Sequence, residues 1–180
     1  MKRFVLTGTP GAGKTTVIEA LRRLGQATVG EAATEVIGRE QAAGNPEPWS
    51  EPGFVDAVVA VQREREAEAS LRGAGVCFFD RSPVCTLALS RFLGRPTSPV
   101  LAAEIDRIQC AQTYQRTVFF LANLGFVVPS AARRIGFEEA LVFERVHRET
   151  YMELGYQLVD VAVATPGERA EAILELVAGR

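Results

Sequence analysis

Apolar residues along this chain cluster in short runs, and the stretches between those runs carry apolar positions at helical spacing. Arg3 to Thr7 (RFVLT), Ala27 to Gly30, Val76 to Phe79, Thr117 to Leu121 and Tyr156 to Val161 read as strands. Thr15 to Leu24 reads as a helix stopped by Gly25, and Glu31 to Ala43 as a second that ends at Gly44-Asn45-Pro46. Phe54 to Arg72 keeps Val55, Val58, Val59 and Gln62 on one face. Ser82-Pro83 opens another helix, with Ser as cap and Pro in the first turn. Pro99 to Gln112, Phe137 to Leu154 and Gly167 to Val177 complete the set, the last with Ala170, Ile173, Leu174 and Val177 in phase. Gly44 to Gly53 is too rich in proline for helix or strand, and Ala122 to Gly136 looks irregular.

Five strands alternating with helices predict one open parallel sheet covered on both faces, a doubly wound α/β domain spanning residues 1–180. Ligands of such sheets bind beyond the carboxyl ends of the strands. Gly8, Glu31, Asp80 and Ala122 each follow a predicted strand, so they should line one rim.

Composition narrows the picture. The 180 residues are 47% hydrophobic with a net charge of −2, which suits a compact domain with a full core. Near-balanced charge without a basic block gives no support for a nucleic-acid partner. No apolar run reaches membrane-spanning length, and the amino-terminal run lacks the features of a secretion signal. Cys77, Cys85 and Cys110 form no CxxC pair and are expected as reduced thiols in a cytoplasmic protein. His147 is the lone histidine and falls in phase with Ala140, Phe143, Thr150 and Leu154, a packing position; a zinc site or Ser-His-Asp triad has no support.

Only Lys2 and Lys14 are lysines, and Lys14 stands inside Gly8-Thr9-Pro10-Gly11-Ala12-Gly13-Lys14-Thr15, a full G-x-x-x-x-G-K-[ST] motif between strand and helix. Glycines there let successive backbone N–H groups point inward at phosphate oxygens, and the helix that follows adds the positive end of its dipole. Lys14 is expected on the β- and γ-phosphates, the Thr15 hydroxyl on Mg²⁺, and Thr16 on the α-phosphate. The strand Val76 to Phe79 leads into Asp80, a carboxylate able to hold Mg²⁺ directly or through water, and into Arg81, able to hold a phosphate or orient Asp80. The expected cofactors are therefore ATP, or another NTP, and Mg²⁺.

The segments FVLTGTPGAGKTT, VGEAATEVI, VCFFDRSP and ELGYQLVDV resemble the small bacterial predicted-ATPase group labelled as an AAA domain. The chain is also similar to nicotinamide riboside kinase and deoxynucleoside kinase domains. The resemblance implies a three-layer αβα P-loop NTPase fold of nucleoside-kinase type with a short arginine-bearing lid. It implies a carboxylate after the second strand, Glu31 here, that accepts the proton of an attacking hydroxyl, and lid arginines, here Arg133 and Arg134, that close over the transferring phosphoryl group. Glu31 also suits the first turn of a helix on electrostatic grounds alone. Glu35 is a second carboxylate candidate or an exposed helix residue.

On the acceptor side, Trp49 and Phe54 read either as a stacking wall for a ring or as packing of the proline-rich loop on its own domain. Gln62 reads as a polar hand in the acceptor pocket or as a boundary residue, and Arg63, Glu64, Arg65 and Glu66 as a solvated face. The function expected first is a kinase acting on a small hydroxyl-bearing acceptor, with neither nucleic acid nor membrane as partner and a homodimer left open. An NTP-hydrolysing switch is the alternative, and a nucleotide-binding subunit without turnover is a third. The guanine-specific N-K-x-D signal and the D-x-x-G switch signal are both missing from the sequence.

Overall fold

The computed structural model describes residues 1–8, 11–121 and 136–179. Its elements run β1 (Lys2–Thr7), α1 (Lys14–Arg23), β2 (Ala27–Val29), α2 (Ala32–Ala42), α3 (Phe54–Leu71), β3 (Val76–Asp80), α4 (Pro83–Phe92), α5 (Pro99–Cys110), β4 (Thr117–Leu121), α6 (Phe137–Glu153), β5 (Gln157–Val161) and α7 (Pro166–Ala178). The five strands among the described residues lie in one sheet, in the order β2-β3-β1-β4-β5 with every pairing parallel.

Alternation along the strands builds the two covered faces. Phe4 and Leu6 of β1, Phe78 of β3 and Phe119 and Leu121 of β4 turn to one side, against Val17 and Leu21 of α1 and Ala170 and Ile173 of α7. Val5, Cys77, Phe79 and Val118 turn to the other, against side chains of α3, α4, α5 and α6. A smaller cluster joins Ala32 and Val36 of α2 to Phe54, Val58 and Val61 of α3.

This order puts the rim expectation on a structural footing for Gly8, Glu31 and Asp80, while Ala122 lies outside the described residues. The chain leaves β1 toward β2 and β3 on one side and later toward β4 and β5 on the other, so β1 sits at the topological switch. Leu6 pairs with Asp80, and Arg81 N–H donates to the Leu6 carbonyl at 3.1 Å. The ends of β1 and β3 are thereby locked side by side.

Three local details differ from the sequence reading. Asp80 is the last residue of β3 instead of the first after it, and Glu31 occupies the N-cap of α2. The Gly44–Gly53 loop contains one 3₁₀ turn, Pro48–Ser50, because a leading proline has its φ preset for such a turn.

Candidate functional site

The glycine loop is shaped by close approach as much as by turning. Gly8 has φ +132°, and a Cβ placed on it would lie 2.1 Å from the Leu121 carbonyl oxygen at the end of β4. No side chain fits there. Gly13 caps α1 in the left-handed region at φ +76°. Thr9 and Pro10 lie outside the described residues. Lys14 opens α1 and is buried. Burial, with Arg81 nearby, lowers its ammonium pKa to about 7, against the opposing pull of Asp80 and Glu31. The Thr16 hydroxyl donates to the Gly13 carbonyl at 2.7 Å, so in this structure it braces the loop.

Across the crevice, Asp80 is buried at the end of β3. Its Oδ2 accepts from the Thr15 hydroxyl at 3.4 Å, while its Oδ1 is buried with no hydrogen-bond partner. Burial raises its pKa, and the Glu31 charge adds to the rise. A carboxylate oxygen left bare beside a threonine hydroxyl is a donor set that suits a hard divalent cation such as Mg²⁺. The residues present therefore fit the metal that the motif implies.

Arg81 and Glu31 form the centre of the site. Arg81 Nε donates to Glu31 Oε1, and Thr34 donates to Glu31 Oε2 at 2.8 Å. Burial pushes the Glu31 carboxyl up, but the charges of Arg81 and Lys14 outweigh it and hold the pKa at about 2. Burial alone would lower the Arg81 pKa, yet Glu31 raises it, so the pair is fully charged. Arg81 has φ +76°, a conformation that costs a non-glycine residue of order 1–3 kcal/mol. The surroundings enforce it. Its N–H is held by Leu6 and its guanidinium by Glu31, with His147 Nε2 at 3.5 Å from Nη1.

His147 is the packed residue that its phase predicts, and it also reaches the Arg81 guanidinium. It is buried on α6, and Nδ1 lies 3.0 Å from the Phe143 carbonyl. Burial and then Arg81 push its pKa down to about 3, so the ring is neutral. With Nδ1 carrying the proton toward Phe143, Nε2 is the acceptor turned to Arg81. Ser82 corrects a simpler expectation. It occupies the N-cap of α4, but its side chain makes no cap hydrogen bond; its hydroxyl meets Tyr151 at 2.8 Å, in contact with Cys85 and through it Thr7.

Beside Asp80 and Arg81 lies a small cleft, lined by Val29, Ala32 and Phe79 and by the polar side chains of Gln62, Arg65 and Tyr114. Gln62 accepts from Thr86 at 3.1 Å through Oε1, which leaves its amide nitrogen as the end able to meet a ligand. Tyr114 stands edge-on to Phe79 at 5.4 Å and had no signal in the sequence beyond its place before β4.

Arg65 and Glu66 overturn half of the solvated-face reading, while Arg63 and Glu64 are exposed as it expects. Arg65 pairs with Glu35 and donates to the Gly30 carbonyl at 2.7 Å, at the residue before Glu31. Glu66 is likewise buried, paired with Arg107 at 2.5 Å, and Arg63 lies 3.5 Å from buried Glu104. On a helix that packs on both α2 and α5, Arg65 finds its partner on α2, and Arg63 and Glu66 find theirs on α5. Glu35 is thus engaged by Arg65. Phe54 is buried in the small α2–α3 cluster and Trp49 packs against it, so the loop folds onto its own domain and neither ring lines the cleft. Arg133 and Arg134 lie outside the described residues.

Comparison with known proteins agrees with this geometry. A family model described as AAA domain matches residues 3–169. No curated protein sequence matches. Among solved structures, deoxyadenosine kinase from M. mycoides with bound dATP aligns over 99% of this chain and 100% of its own, at 17% identity and TM-score 0.58. A NadR protein in complex with NR aligns over 99% of this chain at 15% identity and TM-score 0.73, with this chain spanning 51% of that one. Shikimate kinase from Acinetobacter baumannii, in complex with shikimate, aligns over 99% and 94% at 17% identity and TM-score 0.51. At these identities the likeness is one of fold, and the fold is that of P-loop kinases. Among the described residues, no helix is long and apolar enough to cross a membrane.

Proposed function

The chain belongs to the AAA domain family, and from that premise we propose that it is an ATP- and Mg²⁺-dependent phosphotransferase acting on a small hydroxyl-bearing acceptor, a nucleoside-like compound being one candidate. The observation that carries the reading is the conjunction of two half-sites on one rim. One is the phosphate nest that ends in Lys14. The other is the cleft beside Asp80 and Arg81, whose guanidinium Glu31 holds. A nucleotide switch needs the first and has no use for the second.

In this reading Gly11 to Thr15 hold the triphosphate through backbone N–H groups, with Lys14 on the β- and γ-phosphates. Thr15 and Asp80 hold the metal, which when bound supplies neutralisation of phosphate charge. The acceptor hydroxyl sits in the cleft against Glu31. Its oxygen forms a bond to the γ-phosphorus as the bond from that phosphorus to the β,γ-bridging oxygen breaks. The hydroxyl proton passes to the Glu31 carboxylate and then to water, and ADP leaves. A carboxylate with so low a pKa is a weak base, which is adequate because a loose phosphoryl transfer needs the proton removed late. Its larger contribution is to orient the hydroxyl and anchor Arg81, whose charge faces the transferring group. One or both of Arg133 and Arg134, which lie outside the described residues, would neutralise charge on the transferring group. Gln62 and Tyr114 supply polar contacts to the acceptor from the cleft walls.

The test is nucleotide turnover with and without a panel of nucleosides, nucleoside-like cofactor precursors and small hydroxy acids. ADP formation that depends on an acceptor and releases no free phosphate supports the kinase. Slow hydrolysis indifferent to every acceptor replaces it with the switch.

A further inference from the structure

Arg169, on the first turns of α7, lies under the glycine loop and has no role in the reading above. It is 3% exposed. Its Nη1 donates to the Ala12 carbonyl at 2.9 Å, across 157 positions of sequence. Its Nε and Nη2 are buried with no hydrogen-bond partner among the described residues. Burial lowers its pKa, and no carboxylate opposes the shift. A guanidinium this buried, with one hydrogen bond and no counterion among the described residues, is an expensive arrangement that packing alone does not call for.

The peptide geometry suggests what it is for. In a trans peptide the C=O and the following N–H point in opposite directions. Holding the Ala12 carbonyl toward α7 therefore turns the Gly13 N–H away from α7. Gly13 is the left-handed cap of α1, immediately before Lys14. Its N–H is one of the donors a phosphate nest requires. The charge acts in the same sense, since a polyphosphate on the far side of that single peptide layer supplies a counter-charge that no described residue does.

We propose that Arg169 is a positioning residue for nucleotide binding: through the Ala12 carbonyl it holds the Gly13 N–H in its phosphate-facing orientation and leaves a buried positive charge behind the nest that polyphosphate binding satisfies. This rests on the glycine loop binding a nucleoside triphosphate, and the experiment separates the two.

Mg²⁺-ATP and inorganic tripolyphosphate are titrated into the full chain and into Arg169→Met and Arg169→Lys, with the melting temperature of each ligand-free protein measured alongside. Loss of the donor and charge in Arg169→Met is expected to weaken both ligands by about tenfold. Its ligand-free melting temperature stays within about 3 °C of the parent, because removing an unpaired buried charge offsets the lost hydrogen bond. Arg169→Lys, which keeps a donor and the charge, recovers affinity to within about threefold. In turnover assays the Met variant raises the KM for ATP and leaves kcat at saturation within about twofold. Equal affinity in parent and Met variant overturns the proposal. So does a loss of binding accompanied by a steep fall in melting temperature that Lys does not restore, which marks a packing residue. Should Arg169→Met fail to fold, Arg169→Gln retains one N–H donor without the charge. Affinity of Gln equal to the parent then rejects the charge contribution and with it the proposal, whereas a drop of about fivefold with an unchanged melting temperature supports it. If the parent itself binds neither ligand, the nucleotide reading fails, and that outcome is distinct from all of these.

Discussion

Thr15 donates its hydroxyl to Asp80 Oδ2 at 3.4 Å, which ties the first turn of α1 to the last residue of β3 across 65 positions of sequence. The other carboxylate oxygen is buried and unpartnered. These two side chains are the ones assigned to the metal, and the bare oxygen makes the assignment testable. Asp80→Asn removes a buried charge that sits near Glu31, so the ligand-free protein is expected to be as stable as the parent or slightly more so. Metal-dependent turnover falls by about 10²-fold or more, while metal-free ATP binding changes little. Thermal melts and a Mg²⁺ titration of turnover check both halves.

Lys14 gives a proton signature. In the ligand-free protein its pKa is lowered to about 7, so at pH 8 most of it is neutral. A bound polyphosphate favours the charged form and raises the pKa again. Binding at pH 8 is therefore coupled to net proton uptake, and affinity rises as pH falls from 9 toward 7. Calorimetry in buffers of different ionisation enthalpy measures the uptake. Lys14→Arg, charged throughout, is expected to show almost none. Proton release, or none in the parent, contradicts the pKa.

Glu31 holds Arg81 while standing beside the cleft. Glu31→Gln is expected to leave the ATP Kd within about threefold and to cut phosphoryl transfer by about 10²-fold. It also leaves Arg81 without its main counter-charge, at a cost of about 1–3 kcal/mol in unfolding free energy, read by denaturant titration. Because its pKa is about 2, Glu31 contributes no acid limb to the pH–rate profile between pH 4 and 8. Transfer at the parental rate in Glu31→Gln removes the base from the mechanism.

Gly8→Ala tests the loop itself. The new methyl would sit 2.1 Å from the Leu121 carbonyl at φ +132°, so β4 or the loop must move. The expected loss is more than about 3 kcal/mol of stability, together with nucleotide binding. A variant that melts and binds like the parent contradicts the close approach.

Much of the scaffold was legible in the residues. The strand runs and helical phases located every strand and α-helix to within a few positions, because apolar alternation on a two-sided sheet and the turn chemistry of Gly25, Gly44 and Ser82-Pro83 act locally. What stayed hidden was pairing across the sequence. Arg65 on Glu35 and Gly30, Arg81 on His147, and Arg169 on Ala12 are each set by how helices pack. An alternating Arg-Glu run looks solvated unless one knows that α3 is flanked by charged partners on two neighbouring helices. Ser82 shows the same limit, since its cap position is local and its hydroxyl's choice of Tyr151 is not.

The most direct measurement is calorimetric titration of the full chain with ATP in the presence of Mg²⁺, repeated on Lys14→Ala. The account predicts a saturable one-to-one heat in the parent that disappears in the variant. No heat from any nucleoside triphosphate with any divalent ion, or equal heat in both proteins, contradicts it.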